Sequence, residues 1–105
     1  MFDTIAYTSR GPAVASGNTN RVFFYGLSFC DHCVEGIAFL DELDIPYAMT
    51  YIDKLDPEVR RPVLSAFRRI HGEPVVYPII EVDGELTIGF NREVWKEKLE
   101  AVITE

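Results

Sequence analysis

The chain has 105 residues and a formal net charge of −7, from 17 acidic and 10 basic residues. That length suits one domain with one core, and a 48% hydrophobic content with seven Phe, five Tyr and one Trp excludes a disordered or fibrous chain. The acidic excess repels phosphate backbones and anionic headgroups, so no nucleic acid and no membrane is expected as a partner, and no run approaches the ~20 apolar residues of a bilayer span.

Residues 1–20 carry Gly11, Pro12, Ser16, Gly17, Asn18 and Asn20 with weak periodicity, which predicts a tail or loosely attached arm ahead of a domain over 21–105. The amino end has Asp3 early and lacks the basic start and apolar run of a secretory leader, so the expected location is cytoplasmic. Order begins at Arg21–Tyr25, an aromatic and β-branched run that suits a buried strand and stops at Gly26. From Asp31 to Leu43 the apolar residues Cys33, Ile37, Leu40 and Leu43 recur at three and four, the spacing of one helix face, and Pro46 closes the segment. Tyr47–Ile52 reads as a second strand.

Asp56 and Pro57 form a helix start. Pro62 would remove an internal hydrogen bond, so a short first turn, a kink and a main helix from about Pro62 to Ile70 are expected. Val75–Val82, Asp83-Gly84 and Glu85–Gly89 predict an antiparallel hairpin. Asn91 can cap a last helix reaching about Ile103, with Val94, Trp95, Leu99 and Val102 on its apolar stripe. The order β-α-β-α-β-β-α, with a right-handed crossover between the first two strands, predicts an α/β fold: a mixed four-stranded sheet with helices on both faces.

The two cysteines of the chain stand together as Cys30-Asp31-His32-Cys33, where a strand and short loop give way to a helix. Thiol–disulfide exchange needs a thiolate, and the free amides and dipole of a helix start stabilise one at Cys30. Cys33, one turn later, can attack a mixed disulfide on Cys30 and release the product. A zinc site would need two more ligands, and outside the motif only His71 offers a strong one, so no metal is expected. A protonated His32 would favour the Cys30 thiolate, and Asp31 opposes it. Pro78, after Tyr77, opens an apolar strand, where a proline is compatible with the ladder and a cis bond would be a designed feature. Phe29, Tyr77 and Phe90 can form an apolar rim, with Phe90 equally suited to the core. Arg60, Arg61, Arg68 and Arg69 gather four of the ten basic residues on the second helix, a cluster that suits an anion or a solvated face.

In order and spacing, Tyr25-Gly-Leu-Ser-Phe-Cys30-Asp-His-Cys33, Tyr77-Pro78, Asp83-Gly84 and Ile88-Gly89-Phe90 are similar to glutaredoxins. The resemblance spans about residues 21–103 and implies a thioredoxin fold in which Pro78 is cis and faces Cys30. It implies that the Tyr77 backbone pairs with glutathione or a substrate peptide, and that Gly89, Phe90 and Asn91, at the start of the last helix, form the other wall. The implied activity is reduction of protein disulfides or of glutathionylated substrates. No permanently bound cofactor is implied; glutathione is the co-substrate, or a thioredoxin reductase supplies electrons. A rival reading is a glutathione-dependent [2Fe-2S] cluster-binding module, although the single-cysteine motif usual in that group is absent. Leu27 stands where many glutathione-using members have a lysine. Phe24 stands where thioredoxins carry a buried acid, which implies that no internal carboxylate helps deprotonate Cys33.

Overall fold

All five residues of β2 (Val22–Gly26) are buried, which is why the run is continuously apolar and does not alternate: helices cover the sheet on both sides of it. The computed structural model describes residues 5–11 and 21–103; the expectation of a tail or arm at 1–4 and 12–20 lies outside the described residues. β2 runs parallel to β3 (Tyr47–Tyr51), with Phe24 opposite Met49 and Gly26 opposite Tyr51. Its other edge pairs antiparallel with β4 (Ile79–Val82), and β4 pairs antiparallel with β5 (Glu85–Ile88). Asp83 and Gly84 between them take positive φ, 51° and 88°, the geometry of a primed hairpin turn.

Side chains alternate across the strands and divide the core into two. Phe24, Met49 and Ile80 face α1 (Asp31–Glu42) and α3 (Arg92–Ile103), where they meet Leu40, Trp95 and Leu99. Phe23, Tyr25 and Ile79 face α2 (Pro57–His71), where they meet Val63 and Phe67. Gly36 on α1 sits so close to α3 that a Cβ there would stand 3.0 Å from Trp95 Cη2. A residue without a side chain therefore sets the approach of the two helices. The Arg92 guanidinium also pairs with Glu42 at 2.7 Å, joining the start of α3 to the end of α1.

The expected α/β order is present, and three details differ. Because β1 (Thr8–Arg10), from the segment read as a tail or arm, adds antiparallel to the outer edge of β3, the sheet among the described residues has five strands in the order β1-β3-β2-β4-β5. The Thr-Ser-Arg sequence of β1 is exposed throughout, so it carries no hydrophobic alternation to read. The contacts that hold this segment lie upstream, at buried Ile5 and at Tyr7, whose ring lies 5.0 Å from that of Phe23.

Secondly, α2 is one helix from Pro57 through Pro62 to His71, without a separate first turn. Pro62 removes a bond only to the carbonyl of Glu58, and both residues are exposed, where that oxygen can be hydrated. Asp56 holds the cap position with its backbone, its carbonyl accepting from the Val59 and Arg60 amides, and its side chain makes no cap bond. Thirdly, β4 starts at Ile79 and not at Val75, since Pro74 and Pro78 cannot donate to a ladder.

Candidate active site

Gly26 ends β2, and after the short Leu27–Phe29 loop Cys30 becomes the N-cap of α1, with extended backbone (φ −117°, ψ 118°). Its carbonyl accepts the first helical bond, from the Val34 amide at 3.1 Å, and its sulfur accepts the Cys33 N–H at 3.2 Å. The sulfur thus occupies the place where a helix start satisfies a free amide with a negative or polar group. Cys30 is half-buried, Cys33 is 1% exposed, and both are free thiols. Gly26 makes room for the second: a Cβ on it would lie 3.2 Å from Cys33 Sγ and 2.6 Å from the Phe24 ring.

Burial, then the hydrogen bond with Cys30, push the Cys33 thiol up from 9.0 to about 12. The Leu27 N–H, donating to Cys33 Sγ at 3.4 Å, works in the other direction. Cys33 therefore rests as a neutral thiol in the core.

The Tyr77–Pro78 peptide is cis. Pro78 is buried and its carbonyl accepts the Gly89 N–H at 2.8 Å, which sets Gly89 beside it. The Gly89 carbonyl in turn accepts the indole N–H of buried Trp95 at 2.9 Å. Tyr77 is half-buried, and burial raises its hydroxyl above the ordinary range; its phenol lies within electrostatic reach of Cys33. Tyr77 also lines a groove of about 580 Å³ with Leu64, Arg68, Glu73, Pro74 and Val75. Of the four arginines on α2, Arg68 lines this groove, and its Nε pairs with Glu73 at 2.9 Å.

The remaining residues singled out from the sequence fall into two groups. Phe29, which directly precedes Cys30, is 76% exposed, and Val34 and Val76 are exposed as well. The His32 side chain is 74% exposed and is engaged by Glu35, Nδ1 to Oε2 at 3.9 Å, along the helix surface. The half-buried Phe90 ring packs against the core, 4.9 Å from the Trp95 ring and 6.0 Å from that of Phe39. Asn91 caps α3, its side-chain oxygen accepting the Glu93 and Val94 amides at 3.1 Å each. Among the described residues no group of three His, Cys, Asp or Glu side chains is gathered as for a metal ion, and no helix is long and apolar enough to cross a membrane.

Sequence reasoning missed Asp53, whose carboxylate holds Ser28 in the loop before Cys30, and Trp95 as the support of Gly89. A signal for Asp53 existed. Parallel strands that end together bring the residues after them side by side, and Asp53 follows Tyr51 by as much as Ser28 follows Gly26. Its charge also acts on Cys33, but from the surface and in the direction that disfavours the thiolate, so Asp53 is not an internal carboxylate that helps deprotonate Cys33.

A sulfur pair straddling the first turn of a helix that follows the central strand, with a cis proline heading the next strand, defines a thiol oxidoreductase of the thioredoxin fold. No protein-family profile matches the chain, and no curated protein sequence does. Solved structures do match. A glutaredoxin from Archaeoglobus fulgidus is 31% identical, with 76% of this chain and 86% of that chain covered at a TM-score of 0.68. One from Methanosarcina mazei is 26% identical over 76% of this chain and 78% of that one, also at 0.68. A buckwheat glutaredoxin in complex with glutathione shares the fold at 18% identity and a TM-score of 0.66, over 81% and 77% of the two chains. The chain belongs to the glutaredoxin family.

Proposed function

We propose that this protein reduces disulfides by a dithiol mechanism in which Cys30 attacks and Cys33 resolves. The observation that carries the reading is the asymmetry of the pair: a half-exposed sulfur at the helix cap accepts the amide of a second cysteine whose own sulfur is buried behind it. The Cys30 thiolate attacks one sulfur of the substrate disulfide, forms a mixed disulfide, and expels the other sulfur, which takes up a proton. Cys33 then loses its proton and attacks the Cys30 sulfur, closing Cys30–Cys33 and expelling the second substrate thiolate. Two electrons leave the protein dithiol and enter the substrate.

Phe29, Val34 and Val76 are exposed and would give the approach to Cys30 an apolar rim, which favours a protein disulfide as substrate; a glutathionylated protein is the other source of the same chemistry. The Tyr77 backbone ahead of Pro78 would pair with an extended substrate segment, and Gly89 would form the opposite wall. Two molecules of glutathione return the dithiol to its reduced form, or a thioredoxin reductase does. Leu27 weighs against glutathione, because it offers no cation to a carboxylate. A dithiol kept ready in this way works in a reducing compartment, the cytoplasm.

The test is a coupled assay on a protein disulfide, supplied either with glutathione and its reductase or with NADPH and thioredoxin reductase. Turnover is expected in one of the two systems and is expected to vanish in Cys30→Ser. Turnover in neither, or turnover untouched by the substitution, overturns the reading.

A further inference from the structure

The parallel register that sets Gly26 opposite Tyr51 continues past both strands, and beyond the ends Asp53 meets Ser28. One carboxylate oxygen accepts the Ser28 N–H at 2.9 Å and the other accepts the Ser28 hydroxyl at 2.5 Å. Between Ser28 and β2 stands Leu27, whose N–H lies on Cys33 Sγ at 3.4 Å. Asp53 thus grips the loop that carries the amide bonded to the resolving sulfur.

We propose that Asp53 is a positioning residue for the second half of the exchange, fixing the Leu27 amide on the Cys33 sulfur while presenting a negative charge to it. The inference rests on the dithiol reading above. Partial burial opposes ionisation of Asp53, but the two Ser28 hydrogen bonds prevail and hold its carboxyl below the ordinary range, so it is charged at neutral pH. The groups that face Cys33 are Cys30 on its own helix, Asp53 after β3 and the Tyr77 phenol ahead of β4. Burial keeps that phenol neutral. Once Cys30 is tied up in a mixed disulfide its charge and its hydrogen bond to the second thiol are gone. Burial, the Leu27 amide and Asp53 then decide when Cys33 ionises. The two influences of Asp53 oppose each other: the amide it positions favours the thiolate, and its own charge resists it.

Two substitutions separate these influences. In Asp53→Asn the amide oxygen still accepts the Ser28 N–H and the NH₂ faces the Ser28 hydroxyl, so the grip survives and the charge is lost. In Asp53→Ala both are lost. The full-length reduced protein is mixed in a stopped-flow instrument with a chromogenic aryl disulfide across the neutral to alkaline range. The first coloured thiolate reports attack by Cys30, and the second reports resolution by Cys33. For Asp53→Asn the pH profile of the second phase is expected to move down by about half a unit, giving about threefold faster resolution at neutral pH. For Asp53→Ala the plateau of that phase at high pH is expected to fall, because geometry and not ionisation limits it there. A wild-type profile in Asp53→Asn, or a wild-type plateau in Asp53→Ala, overturns the inference. If the wild type itself releases a single equivalent, as Cys33→Ser must, the dithiol reading has failed, which a two-equivalent wild type with unchanged variants distinguishes from failure of Asp53 alone.

Discussion

The contact between α1 and α3 can be tested by a pair of substitutions whose effects should not add. A Cβ on Gly36 would meet Trp95 Cη2 at 3.0 Å, Trp95 Cζ3 at 3.2 Å and Phe24 Cε2 at 3.2 Å, and both rings are fully buried. Gly36→Ala gains about 1 kcal/mol of helix propensity, whereas forcing a methyl into a packed core costs about 1–3 kcal/mol. The net expectation is a loss of up to ~2 kcal/mol. Trp95→Phe alone removes the indole N–H from the Gly89 carbonyl, at about 1–3 kcal/mol, and the cavity left by the outer ring adds about 1 kcal/mol at ~24 cal/mol per Å³. Phenylalanine lacks the Cη2 and Cζ3 atoms that obstruct the methyl and leaves only the Phe24 contact at 3.2 Å, so in the Trp95→Phe background Gly36→Ala should cost less than in the wild type by the two contacts removed. The expected coupling is about 1–2 kcal/mol in favour of the double variant, well above the ~0.3–0.5 kcal/mol within which independent sites add. Urea unfolding of the four proteins under reducing conditions, read by far-UV circular dichroism at constant m, measures it. Additivity, or Gly36→Ala stabilising the wild type by the full propensity gain, would refute the packing argument.

Four other expectations follow from side-chain placement. Because burial raises Cys33 from 9.0 to about 12, neutral-pH alkylation of the reduced protein should stop at one label, on Cys30, as read by peptide mass; labelling of both thiols contradicts this. The folded chain also keeps that proton where the unfolded chain releases it, so the associated stability is complete below about pH 9 and is lost as pH rises toward 12. Urea midpoints should fall over that window more steeply in wild type than in Cys33→Ala, and equal slopes refute the assignment. Tyr25 donates to Glu81 Oε1 at 3.2 Å inside the α2 face of the sheet and bonds Tyr7 at 2.8 Å. Tyr25→Phe should therefore cost about 1.5–3 kcal/mol, and the half-exposed Tyr7→Phe about 1 kcal/mol or less, in urea melts; the reverse order contradicts the network. Phe29→Ala, at a residue 76% exposed, should change stability by less than about 0.5 kcal/mol while raising KM for a protein disulfide several-fold; an unchanged KM removes Phe29 from the rim.

The parts of this molecule that were legible in the sequence are those where local pattern and tertiary demand agree. Val22–Gly26 is apolar because both faces of it are covered, the three- and four-residue spacing after Asp31 gives α1 its buried face, and Asp83-Gly84 has the chemistry its turn requires. Cys30 and Cys33 were readable because the spacing of the motif is also the spacing of a helix turn. Where tertiary context decides, the pattern was silent. Thr8–Arg10 is a strand only because β3 has a free edge. Pro62 lies inside a helix because the carbonyl it orphans belongs to an exposed residue. Phe90, beside Gly89, suited rim and core alike until the Phe39 and Trp95 rings were seen to pack on it. Asp53 needed the strand register before its closeness to Ser28 could be seen.

The division of labour between the two thiols comes from the boundary between loop and helix. Cys30 still has extended backbone at the cap, so its side chain leaves the helix cylinder and remains partly open to an incoming disulfide. Cys33 already has helical backbone and, with Leu40, belongs to the face of α1 that packs on Phe24 and Trp95. On the proposed mechanism a bulky substrate would therefore meet Cys30 first, and the buried Cys33 sulfur would attack the mixed disulfide formed there. The neutral rest state of Cys33 is the electrostatic side of the same placement, since a second thiolate in that core would meet both the loss of water and the Asp53 charge. Register is what makes the arrangement work: one more residue between the cysteines would rotate Cys33 by about 100° around α1 and turn its sulfur away from both the Leu27 amide and Cys30.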